Sequence, residues 1–210
     1  MTTRECADFL KEMGVNTFEL SLPFDSPLGV GTGAGHIFGA TGGVTEAVLR
    51  TAAEKVAGER QALQATELLM TRGFEGIKTT DVLIAGHKVR VGVVHGIANI
   101  KRFMSEMERV GGPEYCGYHF VEVMGCPGGC IGGGGQPKSN DPEILMKRSK
   151  ALYSVDEHSP IRRSHENPDV LQLYKDFLGE PNSHKSHELL HTHYVPQVVA
   201  HRETAGKKVA

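Results

Sequence analysis

One segment constrains the fold of this chain more than any other: EVMGCPGGCIGGGGQP at residues 122–137. A β-rich apolar run leads into Cys126 and Cys130, which lie four positions apart, and four consecutive glycines follow at 132–135. Two thiolates at this spacing suit a soft metal ion or an iron–sulfur cluster. Glycines, which lack a Cβ atom, let the backbone approach such a cluster closely. The alternative is a flexible loop with two spare thiols.

The residues before this segment predict a strand–helix–strand unit. Residues 77–84 and 88–94 are rich in β-branched residues and predict a hairpin, and residues 97–110 carry apolar residues at helical spacing. The run 118–124 then predicts a strand parallel to 88–94, reached by a right-handed crossover. Since α/β proteins place their sites at the carboxyl edge of the sheet, we expect Cys126 there.

Glycine marks a second loop as well. The 26 glycines of the 210-residue chain are concentrated at 29–43 and 125–135. Prolines at 23 and 27 break the strand that a dinucleotide-binding fingerprint would need, so a glycine-rich turn that feeds a helix from Val44 remains. A helix start can bind an anion through its unpaired N–H groups. A tight turn with close backbone packing is the alternative.

The other two cysteines do not complete a cluster site in this pattern. Cys6 lies on the apolar stripe of an N-terminal helix that a Thr2–Glu5 capping box opens, and we expect it to be a core thiol. Cys116 precedes the strand that delivers the cysteine pair, so it would emerge at the opposite end of the sheet. Because a cubane cluster normally takes four thiolates, residues 126 and 130 predict half of a site.

A second metal motif occurs near the end of the sequence. His187-Glu188-Leu-Leu-His191 is a literal H-E-x-x-H, in which two zinc ligands flank a general base, and His184 or His193 could add a third nitrogen. The motif has no domain around it to build a substrate cleft, and a chain with 11 histidines produces it easily by chance. Surface and packing histidines are the preferred interpretation.

Composition excludes several classes of protein. A formal net charge of −2, without a basic cluster, argues against nucleic-acid binding. No apolar run approaches the ~18 residues of a membrane span, and no secretory signal precedes the first helix, so we expect a cytoplasmic protein. Four cysteines in a chain of this length form no disulfide framework, and a reducing compartment is the better expectation.

After Pro137 the pattern changes to helices without strands. Asp141-Pro142 and Asn167-Pro168 each predict a helix start, and Gly179 predicts a helix end. We therefore predict an α/β body over 1–137, a wrapping helical tail over 138–194 and a disordered end over 195–210.

These motifs together resemble one known family. The pattern E-x-M-x-C-x-x-G-C-x-x-G-G-G-Q-P at 122–137 matches the third signature of the catalytic domain of iron-only (FeFe) hydrogenases without a departure. FGATGGVTEA at 38–47, RSHENP at 163–168 and LLHTHY at 189–194 are similar to that family as well. The similarity runs from Thr2 to Tyr194.

The resemblance implies an H-cluster, which is a four-iron four-sulfur cubane joined through a cysteine thiolate to a two-iron unit. By motif position, Cys126 would ligate the cubane and Cys130 would bridge it to the two-iron unit. Met124 and Phe38 would line the cofactor pocket near the two-iron unit. A glycine-rich turn would enclose the diatomic ligands of that unit, with Gly39, Thr41, Gly42, Gly43 and Val44 as its cofactor-binding residues.

The first two signatures of the family, Thr-Ser-Cys-Cys-Pro and Met-Pro-Cys, are absent from this sequence, so its ligand set is incomplete. The expected fold is α/β: one lobe of a two-lobed hydrogenase domain, with a small mixed or parallel sheet, flanking helices and a tail similar to a small subunit. The first hypothesis is a truncated or split hydrogenase. It would need a complementary chain that carries the missing cysteines and a redox donor such as ferredoxin or an NADH-linked subunit. A non-catalytic iron–sulfur-binding relative is the second, and a zinc hydrolase using His187 and His191 is the third.

Overall fold

The computed structural model describes residues 1–19, 29–58, 70–112, 116–139, 141 and 143–195. Its strands are β1 (Ile77–Ile84), β2 (His87–His95) and β3 (Phe120–Met124). Its α-helices are α1 (Thr3–Glu12), α2 (Gly33–Ile37), α3 (Gly43–Ala57), α4 (Ile97–Arg109), α5 (Glu143–His158), α6 (Pro168–Leu173) and α7 (His184–Leu190). Short 3₁₀ turns occur at Cys130–Gly132 and Ser164–Glu166, and a π-helical turn at Tyr174–Leu178.

The sheet has the predicted mixed topology, in the order β1-β2-β3. Strands β1 and β2 pair antiparallel, and their turn takes Ala85 (φ 50°) and Gly86 (φ 80°) into the left-handed region that tight hairpins need. Strands β2 and β3 pair parallel, with Val91 opposite Phe120 and His95 opposite Met124. The hairpin and the strand–helix–strand unit are therefore confirmed, and the carboxyl ends of β2 and β3 lie side by side.

Helices cover both faces of this sheet, and each face presents apolar strand residues to its helix. Leu49 and Ala53 of α3 form a buried cluster with Val82, Ile84 and Val91. On the opposite face, side chains of α4 pack against the sheet in a second buried cluster, which contains Val94, Phe103 and Met107. Since consecutive strand residues point to opposite faces, the apolar residues of these strands can serve both helices.

A buried ion network joins α3 to α5. Arg50 donates to Glu46 at 2.6 Å and to both carboxylate oxygens of Asp156 at 2.7 Å, and Glu46 and Asp156 are fully buried. Arg72 donates to Glu46 at 2.8 Å, and Arg162 donates to Asp156 at 2.6 Å. Burial raises the pKa of Asp156, but the hydrogen bonds from Arg50 and Arg162 outweigh it and lower that pKa to about 2.

The N-terminal helix corrects one expectation. The capping box of Thr2 and Glu5 is present, yet none of the residues of α1 is buried, and Cys6 is exposed rather than a core thiol. An amphipathic stripe tells which face of a helix is apolar and not whether anything covers it.

Some predictions fall on parts of the chain that the structure does not describe. The sequence from Gln61 to Met70 also predicts a helix, but residues 59–69 are outside the described part of the chain. Residues 196–210 of the predicted disordered end are outside it as well. Among the described residues, no helix is both long and apolar enough to cross a membrane.

The chain divides into two compact units, Met1–Val170 and Leu171–Ala210. Within the second unit, Ser183 caps α7 by accepting a hydrogen bond from the Ser186 N–H, and the Lys185 ammonium lies 3.5 Å from the centroid of the Phe177 ring. The predicted boundary after residue 137 stays a prediction.

Candidate functional site

The cysteine segment leaves the sheet where the sequence predicts it. Strand β3 ends at Met124, at the carboxyl edge, and Cys126 follows two residues later. Cys126 is partly buried, whereas Cys130, which begins a 3₁₀ turn, is exposed. The two cysteines of the pair therefore differ in their exposure to solvent.

The two glycine-rich segments are hydrogen-bonded to each other, backbone to backbone. Thr41 N–H donates to the Gly128 carbonyl at 3.0 Å, and Ile131 N–H donates to the Gly39 carbonyl at 3.0 Å. Gly129 (φ 93°) lies in this seam, where an added Cβ would come within 2.7 Å of the Thr41 nitrogen and 2.9 Å of the Met124 sulfur. The cysteine loop and the turn at 39–43, more than 80 residues apart in sequence, thus form one surface.

Glu122, the first residue of the signature at 122–137, connects this surface to α3. Its buried carboxylate accepts hydrogen bonds from the Gly42 N–H at 2.6 Å, the Thr45 N–H at 2.9 Å and the Thr45 hydroxyl at 3.2 Å. A carboxylate at a helix N-terminus is stabilised by the unpaired N–H groups and by the helix dipole. The sequence predicted a helix start here that could bind an anion. In the structure, the carboxylate of Glu122 occupies this position.

A third segment supports the turn from behind. Gly42 (φ 87°) lies so close to the loop at 71–73 that an added Cβ would meet the Thr71 carbonyl oxygen at 2.1 Å. The Lys78 ammonium donates to that carbonyl and, at 2.9 Å, to the carbonyl of Gly73. Burial lowers the pKa of Lys78 to about 8. The close-packing interpretation of the glycine turn is therefore confirmed.

Gly128, which lies between the two cysteines, is hydrogen-bonded to a histidine that the sequence analysis did not identify as a site residue. The Gly128 N–H donates to Nδ1 of His95 at 3.0 Å, and Nε2 of the His95 ring lies 3.2 Å from the Phe74 carbonyl oxygen. His95 ends β2 opposite Met124 and is buried. The sequence pointed to His95 only through its position, because it ends the strand predicted to pair with the strand that precedes the cysteines.

The predicted pocket residues differ in exposure. Phe38 is 43% exposed, Met124, Gly39 and Val44 are partly buried, and Thr41, Gly42 and Gly43 are buried. The Thr41 hydroxyl oxygen is buried without a hydrogen-bond partner among the described residues. A buried hydroxyl costs free energy when it is unpaired. This orphaned hydroxyl, beside a seam that only glycine fits, is a feature that a bound group could satisfy.

Of the four cysteines, only Cys126 and Cys130 share a loop. The thiol of Cys116 donates to the Gly112 carbonyl at 3.5 Å and packs against the cluster of α4, and Cys6 lies on the exposed helix α1. No group of three or more His, Cys, Asp or Glu side chains is arranged to hold a metal ion in the described part of the chain. Half of a cluster site at Cys126 and Cys130 stays a prediction.

The H-E-x-x-H motif falls on α7 and its end. The rings of His187 and His191 lie 4.3 Å apart between centroids, and His193 lies 5.8 Å from His187, but all three side chains are exposed. Since these histidines are not among any arranged set of metal ligands in residues 171–195, the zinc-hydrolase interpretation gains no support.

Comparison with known proteins places the chain in a clear context. The family model "Iron only hydrogenase large subunit, C-terminal domain" matches residues 1–134, and "Iron hydrogenase small subunit" matches residues 142–197. The NADP-reducing hydrogenase subunit HndD of Solidesulfovibrio fructosivorans is 46% identical over 92% of this chain and 32% of its own length. Cytosolic iron-sulfur assembly component 3 of Mus musculus is 33% identical over 92% of this chain and 40% of its own length.

Solved structures agree. The chain superposes on [FeFe]-hydrogenase HydA1 of Chlamydomonas reinhardtii with a TM-score of 0.66 and 42% identity, over 93% of this chain and 55% of that one. The mixed α/β fold with its three-stranded sheet is therefore the fold of the C-terminal part of such enzymes. The chain spans only 32% and 40% of the length of these two curated relatives.

Proposed function

The chain belongs to the iron-only hydrogenase family, and we propose that it forms the part of a hydrogenase that supplies two of the thiolate ligands of the H-cluster. The observation that carries this proposal is the seam between the two glycine-rich segments at the carboxyl end of β3. Cys126 and Cys130 lie in this surface beside the turn at 39–43, and that is the arrangement a cluster held by two distant segments requires.

The residues present fit such a group in part. Cys126 and Cys130 would be its ligands, with Cys130 as the bridging thiolate. Met124, Phe38 and the turn Gly39–Val44 would border it, and the orphaned Thr41 hydroxyl has hydrogen-bonding capacity left. When bound, the group supplies the metal chemistry of 2H⁺ + 2e⁻ ⇌ H₂. The remaining thiolate ligands have to come from polypeptide outside this sequence, since the family's cubane takes four.

The chain's own residues act by holding geometry. Glu122 fixes the turn to the end of β3, and the paired backbone of Thr41 and Gly128 keeps the cysteine loop closed against it. These contacts join residues of this chain only and involve no atom of a cofactor. A surface held in place by such contacts lowers the conformational-entropy cost of binding a ligand.

The partners follow from the same proposal. A complementary hydrogenase polypeptide would carry the missing cysteine signatures, and ferredoxin or an NADH-linked subunit would deliver electrons. Residues 1–137 would form the lobe that carries the site, and residues 138–194 would correspond to a small subunit, in keeping with the separate family match over 142–197. We also propose that the protein is located in the cytoplasm.

Hydrogen evolution tests the proposal. The chain, together with a polypeptide that carries the two missing signatures, is matured anaerobically and assayed with reduced methyl viologen. We expect hydrogen from the pair, none from the chain alone, and none from a pair in which Cys130→Ser replaces the wild type. Equal hydrogen evolution by the pair containing Cys130→Ser would contradict the proposed role of that thiolate.

A second candidate is a non-catalytic iron–sulfur-binding relative. The observation that favours it is the 33% identity, over 92% of the chain, to a protein named for cytosolic iron–sulfur assembly. This candidate predicts iron and sulfide bound through Cys126 and Cys130 but no hydrogen, even with a complementary polypeptide. The same assay therefore separates the two.

A further inference from the structure

His95 occupies a position from which it can control the cysteine loop. It is the last residue of β2, its side chain is buried, and its register partner on β3 is Met124, two residues before Cys126. Its ring contacts Gly128, the residue midway between the two cysteines. Among the described residues, His95 is the side chain that accepts the hydrogen bond of the Gly128 N–H.

The backbone of His95 is fixed on both sides. Its N–H donates to the Gly76 carbonyl at 3.0 Å, and its carbonyl accepts from the Asn99 side chain at 2.9 Å. The next residue, Gly96, donates its N–H to the Met124 carbonyl at 2.9 Å. The ring therefore hangs from a rigid point at the carboxyl edge of the sheet.

The partners of the ring define a single tautomer. The Gly128 N–H can only donate, so Nδ1 has to accept, and the Phe74 carbonyl can only accept, so Nε2 has to carry the hydrogen. A neutral ring with Nε2–H satisfies both bonds. The two nitrogens thus have separate functions: Nδ1 holds the cysteine loop, and Nε2 orients the ring.

Gly128 is an effective point for this control. Its φ of 76° belongs to the left-handed region, and its carbonyl accepts from Thr41, so its two flanking peptides are tied to His95 on one side and to the glycine turn on the other. The neighbouring Gly129 N–H donates to the Cys126 carbonyl at 3.1 Å, which closes a tight turn from the first cysteine. Displacing Gly128 would therefore change the path of the chain between the two thiols.

We propose that His95 is a positioning residue that sets the separation of the Cys126 and Cys130 thiolates through its Nδ1 bond to Gly128. The proposal rests on the function proposed above, in which the two thiolates act as a ligand pair. It adds a residue outside the cysteine signature, and it predicts which of the two ring nitrogens matters for metal binding.

Two amide variants separate the nitrogens. The side-chain oxygen of Asn occupies the position of Nδ1, so His95→Asn keeps the bond to Gly128 and loses the bond to Phe74. The side-chain nitrogen of Gln occupies the position of Nε2, so His95→Gln keeps the Phe74 bond and loses the Gly128 bond. Cd²⁺ is a suitable probe because it is soft and binds thiolates, and its thiolate charge-transfer absorption reports binding to the full, reduced chain.

We expect His95→Gln to weaken Cd²⁺ binding about threefold to tenfold, as the loss of one hydrogen bond implies, and His95→Asn to stay within about twofold of the wild type. Thermal unfolding midpoints of the two variants serve as the control for general damage. Equal affinities in both variants, or a larger loss in His95→Asn, would overturn the proposal.

Two further measurements keep the test decisive. In wild-type chain, nitrogen NMR of the imidazole should show the Nε2–H tautomer, and an Nδ1–H tautomer would overturn the proposal even if both variants failed to fold. Cys130→Ser tests the premise separately. If it binds Cd²⁺ as tightly as the wild type, the thiolate pair of the proposed function fails, whereas a loss there together with equal His95 variants refutes the positioning function alone.

Discussion

Replacing Glu122 by Gln tests how the cysteine strand is joined to the glycine turn. The amide has the same shape, but only its oxygen can accept, while the carboxylate serves two N–H groups at 2.6 and 2.9 Å. In either orientation, one of the N–H groups of Gly42 and Thr45 then faces an amide NH₂. A buried unpaired N–H costs ~1–3 kcal/mol, and the lost charge at a helix start costs up to ~2 kcal/mol more. We therefore expect a loss of about 3 kcal/mol in the free energy of unfolding.

Urea and thermal denaturation of the two proteins measure this loss. For a chain of this size, 3 kcal/mol corresponds to a drop of about 6–12 °C in the unfolding midpoint. Glu108→Gln is the matched control, because Glu108 is exposed on α4, and its change should stay within about 0.5 kcal/mol. If Glu122→Gln were as stable as this control, the carboxylate would not be the link between β3 and α3.

Two other predictions concern stability. The pKa of Asp156 is lowered to about 2 in the folded chain, against about 3.9 in the unfolded chain. Asp156 therefore contributes about 2–3 kcal/mol of stability, which is present above about pH 4 and is lost as the pH falls through 2. Urea denaturation between pH 5 and 2 should show this loss in the wild type and a smaller one in Asp156→Asn. An equal change of the unfolding free energy with pH in both proteins would contradict this contribution of Asp156. Gly129→Ala should destabilise the chain by about 2 kcal/mol or more, since the residue has φ 93° and its Cβ would come within 2.7 Å of the Thr41 nitrogen. Gly134→Ala, which meets nothing within 4 Å, is its control, and equal midpoints in urea would refute the tight seam.

The regular elements could be predicted because their signals are local. Hydrophobic alternation and the Ala85-Gly86 turn specify the hairpin, and helical spacing specifies α4, so the parallel pairing of β2 and β3 followed from the handedness of crossovers. The same logic placed Cys126 at the carboxyl edge of the sheet. Both glycine-rich loops were also visible as local concentrations of one residue type.

The connections between these elements could not be predicted from one sequence. The hydrogen bond of Glu122 to Gly42 spans 80 residues, that of His95 to Gly128 spans 33, and the pair of Arg50 and Asp156 spans 106. No periodic pattern records such pairs, because each side chain looks ordinary in its own segment. The error at Cys6 has a related cause, since the amphipathicity of α1 does not specify a covering partner.

Anaerobic reconstitution shows whether Cys126 and Cys130 act together as iron–sulfur ligands. The chain is mixed with a complementary polypeptide that carries the two missing signatures and is incubated with ferrous iron and sulfide. Bound iron and visible absorption are measured for the wild-type chain and for single serine variants of each of its cysteines. We expect Cys126→Ser and Cys130→Ser each to lose most of the bound iron, whereas Cys6→Ser and Cys116→Ser should retain it. Iron binding that survives loss of both Cys126 and Cys130, or that depends on Cys6, would contradict this expectation.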